Sequence, residues 1–198
     1  MQPDSFFSLR KHIRQNIRQQ RKNLTSEQQL QFALQAAEQI MSHPRIRQAS
    51  KIALYLSFDG ELDTRPLIQR LWQQNKQVYL PVLHPFNQHH LLFLRYQPDT
   101  PLIRNTFNIE QPQLDIRQVL PASELDIMFI PLVAFDRTGQ RLGMGGGFYD
   151  RTLANWQQKN FYPMGLAHDL QLVDTLPSAS WDIPLPEIIT PAKIWRWS

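Results

Sequence analysis

The chain has 198 residues, 42% of them hydrophobic, no cysteine and a formal net charge of +4, enough to bury one sizeable core within the usual size of a single domain. Without cysteine there is no disulfide framework, thiolate metal site or cysteine nucleophile, so any chemistry must run on oxygen, nitrogen and backbone groups. The longest apolar runs, such as 127–135, fall well short of the roughly 20 residues a membrane-spanning helix needs, and no N-terminal stretch joins a basic start to an apolar core. A soluble, cytoplasmic protein with no membrane partner is expected.

Helices are predicted over 5–22 and 26–41, the second capped by Thr25 or Ser26 with Glu or Gln in its first turn. Residues 1–24 hold six basic side chains (Arg10, Lys11, Arg14, Arg18, Arg21, Lys22) against Asp4, while the remainder carries 15 bases and 16 acids. On the first helix Arg10, Arg14, Arg18 and Arg21 or Lys22 recur at spacings of three and four, beside an apolar stripe of Phe6, Leu9, Ile13 and Ile17. That helix docks on a core and presents a basic ridge. Its charge, with a pI near 9.6, invites a nucleic-acid reading, but a near-neutral remainder without an aromatic and basic sheet surface argues against one, and no such partner is expected.

From residue 51 short apolar runs alternate with polar helical stretches. Strands are predicted over 52–58 and 77–83 around a helix over 64–75, the βαβ signature of a mostly parallel sheet. An edge or hairpin strand follows over 91–96, then a proline-rich connection over 98–121 with no assigned structure. The stretch 126–134 reads as a strand buried on both faces, 148–159 as a helix, and 162–167 and 187–190 as further buried strands. The expected fold class is α/β: a single three-layer α/β/α domain spanning 1–198, with a mostly parallel, Rossmann-like sheet and N-terminal helices.

Five of the seven glycines (Gly139, Gly143, Gly145, Gly146, Gly147) crowd between the 126–134 strand and the helix predicted at Phe148. Glycine permits positive φ and lets backbone N–H groups approach an anion, and a helix start adds the positive end of its dipole. A phosphate-binding loop results, with Arg137 and Arg141 as charged donors and Asp150 placed to hold a magnesium ion against phosphate oxygens. The glycines equally suit a tight turn with Asp150 favouring a helix N-terminus. GMGGGF lacks the Lys-Ser/Thr of a P-loop and the register of a dinucleotide fold. Spacing alone therefore supports anion binding and names no substrate. His89 and His90 lack a third metal ligand nearby and read as surface residues. His168, just past a strand, is a candidate for the sheet's rim, and Trp195 and Trp197 suit terminal packing.

The string PLVAFDRTGQRLGMGGGFYDR over 131–151 resembles the signature of the 5-formyltetrahydrofolate cyclo-ligase family. Further landmarks follow in the family order: Asn23-Leu24-Thr25, the segment 53–64 with Glu61 and Thr64, NIEQP within 107–112, and 181–190. The resemblance implies ATP-dependent cyclisation of 5-formyltetrahydrofolate to 5,10-methenyltetrahydrofolate through a phosphorylated formyl intermediate. ATP and the folate are then the partners of a monomeric enzyme, and Mg²⁺ accompanies ATP.

The resemblance implies that Arg10 and Arg14 meet ATP phosphates together with Arg141, Leu142, Gly143, Met144, Gly145, Gly146, Gly147, Phe148 and Tyr149. Leu56 and Glu61 line the folate pocket with residues 144–148. Asp150 and Asp182 ligate magnesium, and Tyr149 and Arg141 serve the reacting centre. Arg10 stands where the family commonly has lysine, and Phe148 where tyrosine is frequent. A sugar-phosphate isomerase or acyltransferase-like enzyme of similar architecture would also use an anion loop, but without ATP.

Overall fold

The computed structural model describes residues 3–87 and 90–197, so His89 lies outside the described residues. The chain opens with α1 (Pro3–Lys22), α2 (Ser26–Ser42) and α3 (Pro44–Gln48), followed by β1 (Lys51–Ala53), α4 (Arg65–Gln73), β2 (Gln77–Leu83) and β3 (Leu91–Tyr96). Next come β4 (Leu102–Arg104), β5 (Glu110–Pro112), β6 (Val119–Leu120), β7 (Ile127–Pro131), β8 (Ala134–Phe135) and β9 (Arg141–Leu142). The last elements are α5 (Phe148–Leu153), β10 (Tyr162–Leu166), β11 (Glu187–Ile189) and β12 (Ile194–Arg196).

Eight strands form one sheet in the order β12-β11-β10-β7-β1-β2-β3-β6. Its centre is parallel: β1 pairs with β2 and β7, and β10 with β7 and β11. Antiparallel β12 closes one side, and β3 followed by β6 the other. Period-two alternation divides the side chains between two cores. Ile52, Val78, Leu80, Ile127, Phe129 and Met164 pack under α2, α3 and α4 through Ala36, Ile40, Ile46, Leu67, Ile68 and Leu71. Ala53, Tyr79, Phe93, Met128 and Ile130 face the opposite way, toward Leu153, Phe161 and Trp195. The second layer is thinner, because α5 has only six residues and 3-10 turns cover the rest.

Thr25 caps α2, its side chain accepting from the Gln28 N–H while the Gln28 side chain returns to the Thr25 N–H. This reciprocal pairing satisfies two otherwise orphaned donors. α1 packs across the sheet's end, with Ile17 against Val133, Ala134, Leu142 and Leu176 in a third small core.

Four elements differ from the sequence expectation. The first strand ends at Ala53, because the chain leaves the ladder for a turn with left-handed Asp59 (φ 51°) and Gly60 (φ 74°). The 126–134 strand breaks after Pro131, where the Gln171 side chain donates to the carbonyls of Leu132 and Val133 and a separate β8–β9 hairpin begins. The 148–159 helix stops at Leu153, and Asn155 turns left-handed (φ 55°) before a 3-10 turn. The unassigned 98–121 connection holds the antiparallel hairpin β4–β5 and the short β6.

Candidate active site

The carboxyl ends of the central strands open into a cleft of about 1120 Å³, where open α/β sheets commonly place their ligands. One wall is basic. Arg10 and Arg14 lie one helical turn apart on α1; Arg14 reaches the loop after β9, and Arg10 the segment around Asp182. Arg14 Nε donates to the Gly143 carbonyl (2.8 Å), and Arg10 donates to the Pro177 carbonyl (3.0 Å) and to both carboxylate oxygens of Asp182. Arg141 is buried and donates to Asp150 Oδ1 (2.5 Å). Burial, and then the neighbouring charge of Arg10, lower the Arg14 pKa from its ordinary value.

The glycine loop lies between these cations. Gly145 (φ 105°) and Gly147 (φ 67°) occupy backbone conformations that a side chain would strain, and Gly147 is the N-cap of α5. A Cβ on Gly145 would lie 3.7 Å from the Arg14 guanidinium, and one on Gly143 the same distance from Arg141 Nη1. The missing side chains leave a cradle edged by two guanidinium groups, which is what an anion of phosphate size requires.

Across the cleft stands a subsite formed by Tyr55, Leu56, Phe58 and Glu61 with Leu80, Pro81 and Leu83 of β2. The Glu61 carboxylate accepts the Phe58 N–H (3.1 Å). Burial pushes its pKa up to about 7, against the pull of Arg21 and of that N–H. Tyr149 lines the same cleft and feels the charges of both Glu61 and Arg141. Burial, and then the charge of Glu61, push its phenol well above the ordinary value, leaving a neutral hydroxyl suited to hydrogen bonding and unsuited to the role of base.

A magnesium ion seeks hard oxygen ligands, usually one or two carboxylates completed by phosphate oxygens and water. Asp150 fits that donor set, its side chain 28% exposed to the cleft. Asp182 is 5% exposed, and its oxygens take the Arg10 guanidinium and the Ala179 N–H. Burial alone would raise the Asp182 carboxyl, but these donors hold it below the usual carboxylate range. In this arrangement Asp182 is the counter-ion of Arg10. Among the described residues no group of three acidic or histidine side chains could hold a metal unaided, so a cation here would draw on phosphate oxygens and water as well.

Arg10, Arg14, Leu56, Glu61, Arg141, Gly143, Met144, Gly145, Gly146, Gly147, Phe148, Tyr149, Asp150 and Asp182 all border the cleft. Two candidates do not. Leu142 is buried in the core beside Ile17, its carbonyl accepting the Val133 N–H (2.7 Å), because β9 turns its side chain away from the loop. Arg137 sits exposed on the β8–β9 turn. His168 is buried behind Gly60 and Glu61 rather than exposed at the rim, and burial pushes it down to about 4. Trp195 and Trp197 stack on one another 6.5 Å apart, and Trp195 meets Phe135 edge-on.

The cleft also has walls that the sequence did not reveal. Phe7 lies on the face of α1 that carries Arg10 and Arg14, a 7/10/14 spacing legible in principle. Asn105, Phe107, Ile109 and Gln111 come from the β4–β5 hairpin, and the Phe107 ring meets Phe148 edge-on at 6.2 Å.

Fold and site together define an α/β enzyme in which a cationic, glycine-lined subsite and a carboxylate-bearing subsite share one cleft. A sequence model of the 5-formyltetrahydrofolate cyclo-ligase family matches residues 8–191. The chain is 58% identical to the 5-formyltetrahydrofolate cyclo-ligase of Escherichia coli (strain K12) over 181 residues, covering 91% of this chain and 100% of the relative. It is also 58% identical over 180 residues to that of Haemophilus influenzae, covering 91% and 96%. Its fold superposes on the Aquifex aeolicus 5,10-methenyltetrahydrofolate synthetase with a TM-score of 0.81 at 28% identity, over 95% of this chain and 92% of the other. The chain belongs to the 5-formyltetrahydrofolate cyclo-ligase family and is a ligase that forms a carbon–nitrogen bond.

Proposed function

We propose that the chain cyclises 5-formyltetrahydrofolate to 5,10-methenyltetrahydrofolate with ATP, releasing ADP and phosphate. One observation supports this above the rest: the arginine-edged glycine cradle and the Glu61 subsite open into the same cleft, which Tyr149 also lines within electrostatic reach of both Glu61 and Arg141. The formyl carbon on N5 is a poor electrophile, because the nitrogen lone pair donates into it. Transfer of the γ-phosphoryl group to the formyl oxygen forms an O–P bond and releases ADP. N10 then attacks the activated carbon, loses its proton, and phosphate departs with the former formyl oxygen.

The protein's part in such a reaction is positioning and charge neutralisation. Arg14 and Arg141, with the N–H groups of 143–148, hold the triphosphate, and Arg10 reaches it from α1. The Glu61 carboxylate accepts the paired N–H donors of the pterin ring, and Leu56 lies beside it. The neutral Tyr149 hydroxyl donates to the reacting oxygen. Magnesium, when bound, neutralises charge on the phosphate oxygens, and Asp150 holds it. On the same reading the chain works as a monomer in the cytoplasm without nucleic acid, which light scattering and a gel shift at moderate salt check.

Purified protein mixed with 5-formyltetrahydrofolate and MgATP is expected to develop the near-ultraviolet absorbance of the methenyl product. No product, or product formed without ATP, removes the proposal. Asp150→Asn is expected to lower kcat on the order of a hundredfold or more with the fold intact. Unchanged kinetics would take Asp150 out of the metal site.

A further inference from the structure

We propose that Asp59 is a positioning residue for the folate subsite, holding the turn that carries Glu61 against the cationic end of α1. Three α1 cations converge on it: Arg18 Nε at 2.5 Å, Lys22 Nζ at 2.9 Å and Arg21 Nη2 at 3.2 Å. The Asp59 side chain is 6% exposed, and Arg21 is fully buried. None of these four residues borders the cleft, so they act on a substrate only through what they hold.

What they hold is conformationally costly. Asp59 and Gly60 are consecutive left-handed residues, a state that is strained for a non-glycine residue and is held here by its surroundings. The restraints are visible. A Cβ on Gly60 would come within 3.1 Å of Arg21 Cβ, so the turn is pressed directly onto α1. The Gln29 side chain donates to the carbonyls of Gly60 (3.3 Å) and Arg21 (3.4 Å), tying turn and helix together. Within the turn, the Phe58 carbonyl accepts the Glu61 N–H (3.0 Å) and the Glu61 carboxylate accepts the Phe58 N–H (3.1 Å). The orientation of Glu61 is therefore set by a turn that is itself set by Asp59. Burial works against ionising Asp59, but the hydrogen bonds from Arg18 and Lys22 keep it below its ordinary pKa and charged.

The phosphate end of α1 has its own anchors. Arg10 is fixed by Asp182 and the Pro177 carbonyl, and Arg14 by the Gly143 carbonyl. Loss of the Asp59 charge should thus disturb the folate subsite and spare the nucleotide subsite. A generalised loss of structure would instead affect both.

The inference rests on the folate reading of the Glu61 subsite, and its test separates the two. Steady-state kinetics of Asp59→Asn should show the KM for 5-formyltetrahydrofolate raised on the order of tenfold, with kcat and the KM for MgATP within about twofold of wild type. Arg18→Gln, which leaves buried Arg21 and exposed Lys22 on the carboxylate, should move the folate KM the same way by about threefold. Thermal unfolding identifies which variants are folded, and if Asp59→Asn is not, Arg18→Gln decides. An unchanged folate KM in a folded variant, or a parallel rise in both KM values, overturns the positioning role. A wild-type protein that turns over no 5-formyltetrahydrofolate with MgATP overturns the functional reading, and the inference with it.

Discussion

Glu61, which ends the 58–61 turn, and His168, buried behind it, have pKa shifts of opposite sign. Burial raises Glu61 from 4.5 to about 7 and lowers His168 from 6.5 to about 4. Between pH 4.5 and 7 the folded chain keeps a Glu61 proton that the unfolded chain has lost, so that contribution is full below 4.5 and disappears as pH rises through 7. For His168 the unfolded chain holds the extra proton, so its contribution is full above 6.5 and is lost as pH falls through 4. The opposed slopes nearly cancel, and wild-type thermal stability should change little across pH 4.5–6.5. Glu61→Gln removes one side of the balance. Its stability should climb with pH over that window and, at pH 8, exceed wild type by up to about 3 kcal/mol, while folate binding collapses. Unfolding curves of the two proteins that stay parallel across the window would refute this account. Wild-type folate KM should also rise as pH drops below about 7, where Glu61 takes up the proton that keeps it from accepting two pterin donors. Arg21 shows the limit of reading residues one by one. In sequence it is one more charge on a basic ridge, yet the fold buries it completely, because Asp59, nearly forty positions away, comes to meet it.

Among the elements, the glycine loop was the most legible, since glycines gathered between a strand and a helix have few local explanations. Gly145 and Gly147 do adopt positive φ, and α5 begins at Phe148. Gly147→Ala should therefore strain the helix start by about 1–2 kcal/mol. The added Cβ would also press on the Arg151 guanidinium at 2.7 Å. The expected result is a several-fold higher KM for MgATP with a modest fall in unfolding temperature; wild-type kinetics in a folded variant would mean that the loop tolerates another backbone path. Less legible were the ends of elements and the hairpin over the cleft. The pattern of 148–159 satisfies a helix, and only left-handed Asn155 shows where it stops. The β4–β5 hairpin has strands of three residues, too short for alternation to register, yet it supplies one wall of the cleft.

For the whole molecule, the cleft is a junction of α1, the turn after β1, the β4–β5 hairpin, the glycine loop and the segment around Asp182. Occupying it should link these parts. Saturating MgATP, at a hundred times its Kd, would add about 2.7 kcal/mol to stability, which for a chain of this size is a rise of roughly 5–10 °C in Tm. Arg14→Gln should remove most of that rise, and a variant that keeps it would show that Arg14 does not meet the nucleotide. The local sequence by itself determined the α/β class, the basic and apolar faces of α1, the cap of α2 and a glycine loop that turns into a helix. Each follows from a period, a spacing or a backbone preference that operates within a few residues. The resemblance carried by 131–151 and its companion segments pointed to the family, and to Glu61 as a folate residue. Tertiary structure alone decided which charges border the cleft, with Arg10 paired to Asp182 and Arg141 to Asp150 along its wall, and which are spent on one another away from it, the three α1 cations on Asp59. It also decided that Leu142 turns into the core and that His168 is buried, which lowers its pKa. Pairing and burial depend on distances between segments remote in the chain, and no local pattern of residues encodes those distances.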